Sequence, residues 1–486
     1  MGGLPKKAQQ LVGLREKKSG VLALDSGALL FKEEKIPPDQ VQQLTTTAQG
    51  IVSAYNRMSF AAVGVARQDL AAGLPFLLGL RQKSDFPWLS ANLVSRTQGK
   101  PYFKPHTLLT MAGMNIAVIG LTSGQGTGTD ALLTEKDNAV ILPWEDVLPR
   151  EIALLKGRAD MLILLSNLPA AVNRKIAEKH PEIHLILQGG SASGNMAPER
   201  INNTLITQVE QQGKSVGILE VRWNAQTKRW EDPGAENLLL EKKNELDRLG
   251  WQINRYRRQG DPKLAFKDQP DALAAYDAML AQRERLDQEI SRLTVEHNAR
   301  NASRTQFSSF SHRFEAMRKE LPDNPAVGAI VEATTTEVNR LGKIAAKARA
   351  AAPLEQGQMV FPENYAGSTA CRSCHAPQFK KWLNTKHASA YGTLEDKGQQ
   401  FNSQCLPCHV TGAFGQPGEM ALSLADDLRQ VGCETCHGPA RQHAVRPQSA
   451  RPGQPSMDTC LRCHTGDHDD NFIFPEALAR LRCGSP

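Results

Sequence analysis

The chain has 486 residues, 40% of them hydrophobic and 22% charged, the balance of a soluble globular protein with room for about three domains. No apolar run approaches the ~20 residues that a membrane helix needs. The net charge is +7, but cations and anions are interspersed and form no cationic block for nucleic acid.

Residues 1–232 alternate short β-branched or apolar runs with helical patterns. VLALDSG, IAVIGLTSG, MLILLSNL, IHLILQGG and SVGILEVRW each end in Gly, Ser, Asn or a polar turn. This rhythm predicts an α/β domain with its sites at strand ends. The loop GQGTGT at 124–129 lacks a following Lys-Ser/Thr and is a weak phosphate signal.

Residues 233–350 carry helical periodicity. Leu246, Leu249, Ile253 and Tyr256 step by three and four, GDP at 260–262 breaks the run, and Tyr276, Met279, Leu286, Ile290 and Leu293 resume it. The pattern predicts a helical hairpin with a coiled-coil-like seam, a surface through which the chain can also form a homo-oligomer. Phe307, Phe310, Phe314, Met317 and Leu321 predict another helix, with His312 on the opposite face; His297 continues the seam. Residues 326–349 predict one more helix.

Residues 351–368 read as a Pro/Gly-containing linker into a third domain, 351–486, too poor in apolar side chains to build its own core. All nine cysteines lie beyond residue 370, eight of them in four C-x-x-C-H units: Cys371, Cys374, His375; Cys405, Cys408, His409; Cys433, Cys436, His437; and Cys460, Cys463, His464. In c-type haem the two thiols add across the vinyl groups and the adjoining imidazole ligates the iron, so four units predict four covalently bound haems c. Their flat apolar bodies would supply the missing core. The rival is zinc, for which two C-x-x-C pairs make a Cys₄ site. Zinc leaves the histidines unexplained: with 12 His in 486 residues, one trailing a given pair by chance is about a one-in-forty event.

His387, His443 and His468 remain in this domain for the distal positions, with His312 a fourth candidate and Met457 or Met420 possible thioether ligands. Bis-histidine ligation closes an iron to substrate and suits electron transfer. A five-coordinate iron would admit small-molecule chemistry. Cys483 is left without a role.

From Gly367 to Phe474 the order CRSCH, W-x-x-T-K-H, CLPCH-V-T-G, VGCETCHGPARQH and CLRCH resembles the tetrahaem module of cytochrome c-554-type proteins. That resemblance implies distal roles for His387 and His443, more weakly for His468, and electron transfer outside the cytoplasm. Farther upstream, GGLPKKAQQLVGLREKKSGVLALDSGALLF, YNRMSFAAVGV, DFPWLSANLV, MNIAVIGLTSG and ILLSNL are similar to the metallophosphatase domain of 5′-nucleotidases. That family clamps phosphate with two metal ions. Here Ala28 stands at the bridging Asp, Ala66, Arg67, Gln68 and Asp69 align with G-N-H-D/E, Asn167 with the His of LSH, and Ser191 and Ser193 with the GGH-x-H histidines. The similarity therefore implies a retained fold without phosphatase activity, in which Asp25 and Asp69 are structural or solvated.

The fold expected is a degenerate metallophosphatase-like α/β sandwich, then an α-helical hairpin, then a mostly irregular, partly helical multihaem cytochrome c domain. The family's first strand, with its Asp-x-His, would precede Gly2. MGGLPKKAQQLVGLREKK has no signal-peptide core, although covalent haem attachment implies a periplasmic or extracellular protein. An export signal and the first strand are expected upstream. The expected partners are redox proteins or other multihaem cytochromes, with no nucleic acid and no membrane span. An active phosphohydrolase with a redox module is the enzymatic alternative.

Overall fold

The computed structural model describes residues 3–124, 137–190, 194–230, 234–257, 261–265, 270–301, 307–318, 320–351, 364–413, 425–448, 450–465, 469 and 472–481. Ser191, Ser193, His468, Met420, Cys483, most of the GQGTGT loop and most of the linker lie outside them. Its contacts divide the chain into two compact units, Met1–Asp232 with Thr305–Glu337, and Pro233–Arg304 with Val338–Pro486. The segment 233–350 is thus divided between the two units, 305–337 falling in the first and the rest in the second.

In the first unit the elements run α1 (Leu4–Lys17), β1 (Leu24–Asp25), α2 (Val41–Met58), β2 (Ala62–Gly64), α3 (Leu74–Lys83), β3 (Trp88–Leu89), β4 (Leu93–Ser95), β5 (His106–Met111), β6 (Met114–Leu121), β7 (Ala139–Ile141), α4 (Trp144–Leu155), β8 (Met161–Ser166), α5 (Ala170–Lys179), β9 (Leu185–Gln188), β10 (Met196–Ile201), β11 (Thr204–Gln208) and β12 (Ser215–Arg222). The main sheet has the order β10-β11-β9-β8-β6-β5, parallel except at its two edges, and β1-β2-β3 form a parallel three-stranded sheet. All five apolar runs singled out in the sequence contribute to strands.

Side-chain alternation along β6 explains the layering. Ile116 and Val118 join Ala62 and Leu89 between the sheets, while Ala117, Ile119 and Leu121 meet Leu148 and Ile152 of α4 and Ile176 of α5. On the far side, Val52 and Tyr55 of α2 and Leu77 of α3 cover the small sheet. The order helix, sheet, sheet, helix places the strand ends together. Gly120 is required where the sheets touch: a Cβ there would lie 2.3 Å from the Leu89 carbonyl oxygen.

The second unit contains the expected hairpin, α6 (Gly234–Arg257) and α8 (Pro270–Asn301), with the short α7 (Pro262–Ala265) between them. Leu249, Ile253, Tyr276 and Leu286 form its buried seam. The Phe-rich stripe is a correction. Residues Ser309–Ala316 form β13, antiparallel to β12 with Leu219 opposite His312. Phe310, His312 and Phe314 also fit a period of two, and β12 offers eight residues of ladder to pair, which outweighs the weak helical spacing. The last long helix, α9 (Pro325–Ala351), agrees with the sequence reading.

Candidate haem-attachment site

Each C-x-x-C-H unit is built on a tight helical turn. The amide of His375 donates to the Cys371 carbonyl at 2.9 Å and that of His464 to Cys460 at 2.9 Å; Leu406–His409 and Cys433–His437 are helical. A turn of this pitch brings residues i, i+3 and i+4 to one face, so both sulfurs and the imidazole of each unit face the same way. Among the described residues these eight cysteines form no disulfide, and only Cys374 is exposed.

The sulfurs approach one another between units. The Cys371 thiol hydrogen-bonds Cys433, which raises Cys371 and lowers Cys433 to about 7. Cys463 bonds Cys408 and is raised by that contact, and burial pushes Cys405 up to about 11. Among the described residues no group of three or more His, Cys, Asp or Glu converges as a metal ion requires.

The imidazoles are oriented from behind. His409 Nδ1 lies 2.8 Å from the Ala390 carbonyl oxygen, His437 Nδ1 2.8 Å from that of Gly453, and His443 Nδ1 2.7 Å from that of Ala450; His464 Nδ1 lies 2.7 Å from Asp469 Oδ2. A carbonyl can only accept, so Nδ1 carries the proton and Nε2 keeps the lone pair that a metal needs.

Two ring pairs follow from the fold. His375 faces His443 with centroids 6.2 Å apart, and His387 faces His464 at 5.9 Å. Two imidazoles on opposite sides of one iron give roughly 6 Å, the sum of two ~2.0 Å metal bonds and two ~1.1 Å ring radii. The donor set therefore fits haem iron. Each pair joins a motif histidine to one outside the motifs, and each crosses the sequence: His443 follows the third motif yet faces the first. Burial, then the neighbouring His464, lowers the pKa of His387. Among the described residues no second imidazole lies against His409 or His437.

In the first unit the positions aligned with phosphatase ligands also gather at the strand ends, but with different chemistry. Asp69 is fully buried and its carboxylate accepts the backbone N–H groups of Ala28, Leu29, Leu30 and Ala66 at 2.8–3.0 Å. Burial nevertheless raises it to about 6. Asp25 accepts the Tyr55 hydroxyl at 2.7 Å and the Gly27 N–H at 3.0 Å. Arg67, at an asparagine position of the phosphatase pattern, pairs with Glu34 at 3.0 Å. Asn167 donates to the Ser26 carbonyl at 2.6 Å, leaving its buried Oδ1 without a partner.

Residues 370–438 match the family of cytochrome c554 and c-prime. Over 93 residues, 16% of this chain and 39% of the relative, the sequence is 36% identical to cytochrome c-554 of Nitrosomonas europaea. Over 189 residues, 38% of this chain and 40% of the relative, it is 26% identical to the uncharacterized metallophosphoesterase YunD of Bacillus subtilis. A 5′-nucleotidase of Vibrio cholerae is 27% identical over 88 residues, 18% of this chain and 15% of the relative. Among solved structures, the calcineurin-like phosphoesterase YfkN of Bacillus subtilis aligns with a TM-score of 0.41 and 15% identity over 69% of this chain and 88% of that one. The chain thus joins a cytochrome c554-like region to a 5′-nucleotidase-like region, spanning about two fifths of the length of the first two relatives.

The structure places His387 beside His464 and His443 beside His375. His312 is not on a helix. It lies on β13 in the first unit, its ring edge-on to Phe314 at 5.7 Å, so the placement removes the helix face on which its candidacy as a ligand rested. Glu434, between Cys433 and Cys436, was missed in the sequence. Only 3% exposed, it accepts the N–H groups of Ala366, Gly367 and Ala440 at 2.8 Å each. No local signal in CETCH marks this role, because the three donors are backbone N–H groups.

Proposed function

We propose that the C-terminal domain holds four covalent haems c and carries electrons in the periplasm or outside the cell, and that the 5′-nucleotidase-like domain is a catalytically inactive scaffold. The observation that carries the first part is the pair of imidazole separations, 6.2 and 5.9 Å, each spanning one motif histidine and one remote histidine. His375 with His443 and His387 with His464 would hold haem iron, and a haem bound there would supply a one-electron couple. The chain's own residues do the positioning. Backbone carbonyls and Asp469 fix the ring tautomers, the helical turns aim the sulfurs, and the Cys371–Cys433 and Cys408–Cys463 approaches set attachment edges side by side, the arrangement that short electron steps need. No helix among the described residues is long and apolar enough to cross a membrane.

Ala28, Gln68 and Asn167 at ligand positions, together with an Asp69 consumed by peptide N–H groups, support the inactive reading of the first domain. A pyridine haemochrome assay against protein concentration should give four haems c per chain; colourless protein with alkylatable thiols after secretion from a haem-attaching host refutes the reading. Metal-dependent release of phosphate from a nucleotide, abolished by chelator, overturns the inactive scaffold.

A further inference from the structure

Residues 364–394 contain no Asp or Glu but carry Arg372, Lys380, Lys381 and Lys386, and residues 435–457 contain none either but carry Arg441, Arg446 and Arg451. The fold brings these two stretches to one place, because His375 of the first faces His443 of the second at 6.2 Å. All seven cations are exposed. Beside them stand Leu383, 53% exposed, and Val445, 73% exposed. The acidic groups that reach this surface are engaged: Asp427 accepts from the Thr369 hydroxyl at 2.6 Å and the buried Glu434 accepts three backbone N–H groups.

The rest of the domain has the opposite balance. Residues 395–434 hold six acids to two cations, and residues 458–486 five acids to three. A haem seated between His375 and His443 brings only its own pair of propionates, too few to neutralise seven cations. Of the eight attachment sulfurs, Cys374 of this same motif is the exposed one. The most accessible attachment edge and the cationic rim therefore coincide.

We propose that this surface is the docking face of an acidic redox protein, which exchanges electrons through the haem attached at Cys371 and Cys374. This rests on the electron-carrier reading above. The exposed cations and apolar side chains suit a transient contact: charge steers the partner and raises the encounter rate, and Leu383 and Val445 offer exposed apolar surface. An anionic membrane surface would use the same cations but has no need of an exposed haem edge, so the protein partner is favoured.

The probe is reduced flavodoxin, a small acidic flavoprotein, as a one-electron donor: its flavin is oxidised as a haem iron is reduced. Stopped-flow reduction of the four-haem holoprotein is followed at ionic strengths of about 0.02 M and about 0.3 M. The expected rate falls on the order of tenfold with added salt. The variant Lys380→Glu/Lys381→Glu/Lys386→Glu should lose that advantage at low salt. The variant Arg285→Glu/Lys397→Glu/Arg480→Glu, with the same net charge reversed on other exposed positions, should keep it. Equal loss in both variants, or a salt-independent rate in the wild type, overturns the proposal. So does salt-sensitive binding to phosphatidylglycerol vesicles that the first variant loses while its flavodoxin rate is unchanged, the signature of a membrane face. Haem content separates the two failures: fewer than four haems per chain sinks the carrier reading, whereas four haems with indifferent kinetics sinks only the docking face.

Discussion

Glu434 ties the third motif to two other parts of the haem domain, and the substitution Glu434→Gln isolates that role. Its Oε1 accepts from Ala366 and Ala440, and its Oε2 from Gly367, all at 2.8 Å. Glutamine keeps the shape but has one oxygen. With that oxygen at the Oε1 position, the amide nitrogen faces the Gly367 N–H, donor against donor. One buried N–H is left unsatisfied, costing about 1–3 kcal/mol, and the two surviving bonds lose their charge assistance, about 1 kcal/mol each. The expected loss is about 4 kcal/mol. Guanidinium unfolding of the haem-loaded chain, read at the Soret band so that only the haem domain reports, measures it. Ala440 precedes the helix Arg441–Val445 that carries His443, so the variant should also weaken the low-spin signal of one iron. A stability change below about 0.5 kcal/mol, with an unaltered spectrum, would show that the carboxylate is not the tie inferred from its hydrogen bonds.

Replacing His443 or His387 by Ala should each open one iron, seen as a new carbon monoxide-sensitive fraction of the Soret band, and the double variant should open two; His312→Ala should leave the spectrum unchanged. Burial lowers His184 to about 4 while its Nδ1 accepts the Leu162 N–H at 2.9 Å. The folded state then binds fewer protons than the unfolded one between pH 4 and 6.5, so this group's stability is complete above that window and lost as pH falls. Asp69, raised to about 6, has the opposite sign: its contribution is present below about pH 4 and lost as pH rises through 6. Each is worth on the order of 3 kcal/mol, so the wild-type profile should be nearly flat over pH 4–6. His184→Asn should leave a stability that declines with rising pH, and Asp69→Asn one that climbs, in urea unfolding followed by the fluorescence of Trp223 and Trp230. Finally, Ala28→Asp places a carboxylate beside Asp69, since the Ala28 N–H donates to it at 3.0 Å. The variant should lose stability at pH 7 and regain it below pH 5, and added Mn²⁺ or Zn²⁺ should not raise its melting temperature; a metal-dependent rise would mean that the site still binds metal.

Strand positions in the first unit were legible because each buried strand is a short apolar run closed by a turn, and the hairpin was legible because Leu249, Ile253, Tyr276 and Leu286 repeat at helical spacing. The candidate attachment residues are readable from sequence because thiol and imidazole must follow one another to serve one haem. Distal partners were only half legible. The pairing of His443 with His375, or of His387 with His464, depends on how separate turns fold back, and no local spacing encodes that. β13 was misread for the same reason. SFSHRFEA satisfies a period of two as well as a weak helical stripe, and the choice is made by β12, more than 80 residues upstream. Glu434 and Asp69 were invisible in their roles because a carboxylate bound by backbone N–H groups has no partner side chain to announce it.

The substitutions at the aligned ligand positions of the nucleotidase-like domain have an electrostatic logic on the inactive reading proposed above. In a two-metal site the cations offset clustered carboxylates, and removing the metals alone would leave buried like charges facing one another. Here the chain has removed the charges as well. Ala28 stands at the bridging carboxylate, Arg67 brings a guanidinium that pairs with Glu34, and burial lowers Lys7 while Asp25, which lies near it, pulls it back up. The remaining Asp69 is held by four peptide N–H groups. On the inactive reading proposed above, hydrogen bonds and an internal ion pair occupy the strand ends where metal coordination would otherwise be found. Those contacts keep the loops after β1, β2 and β8 closed on one another, as the Asn167 bond to the Ser26 carbonyl shows directly.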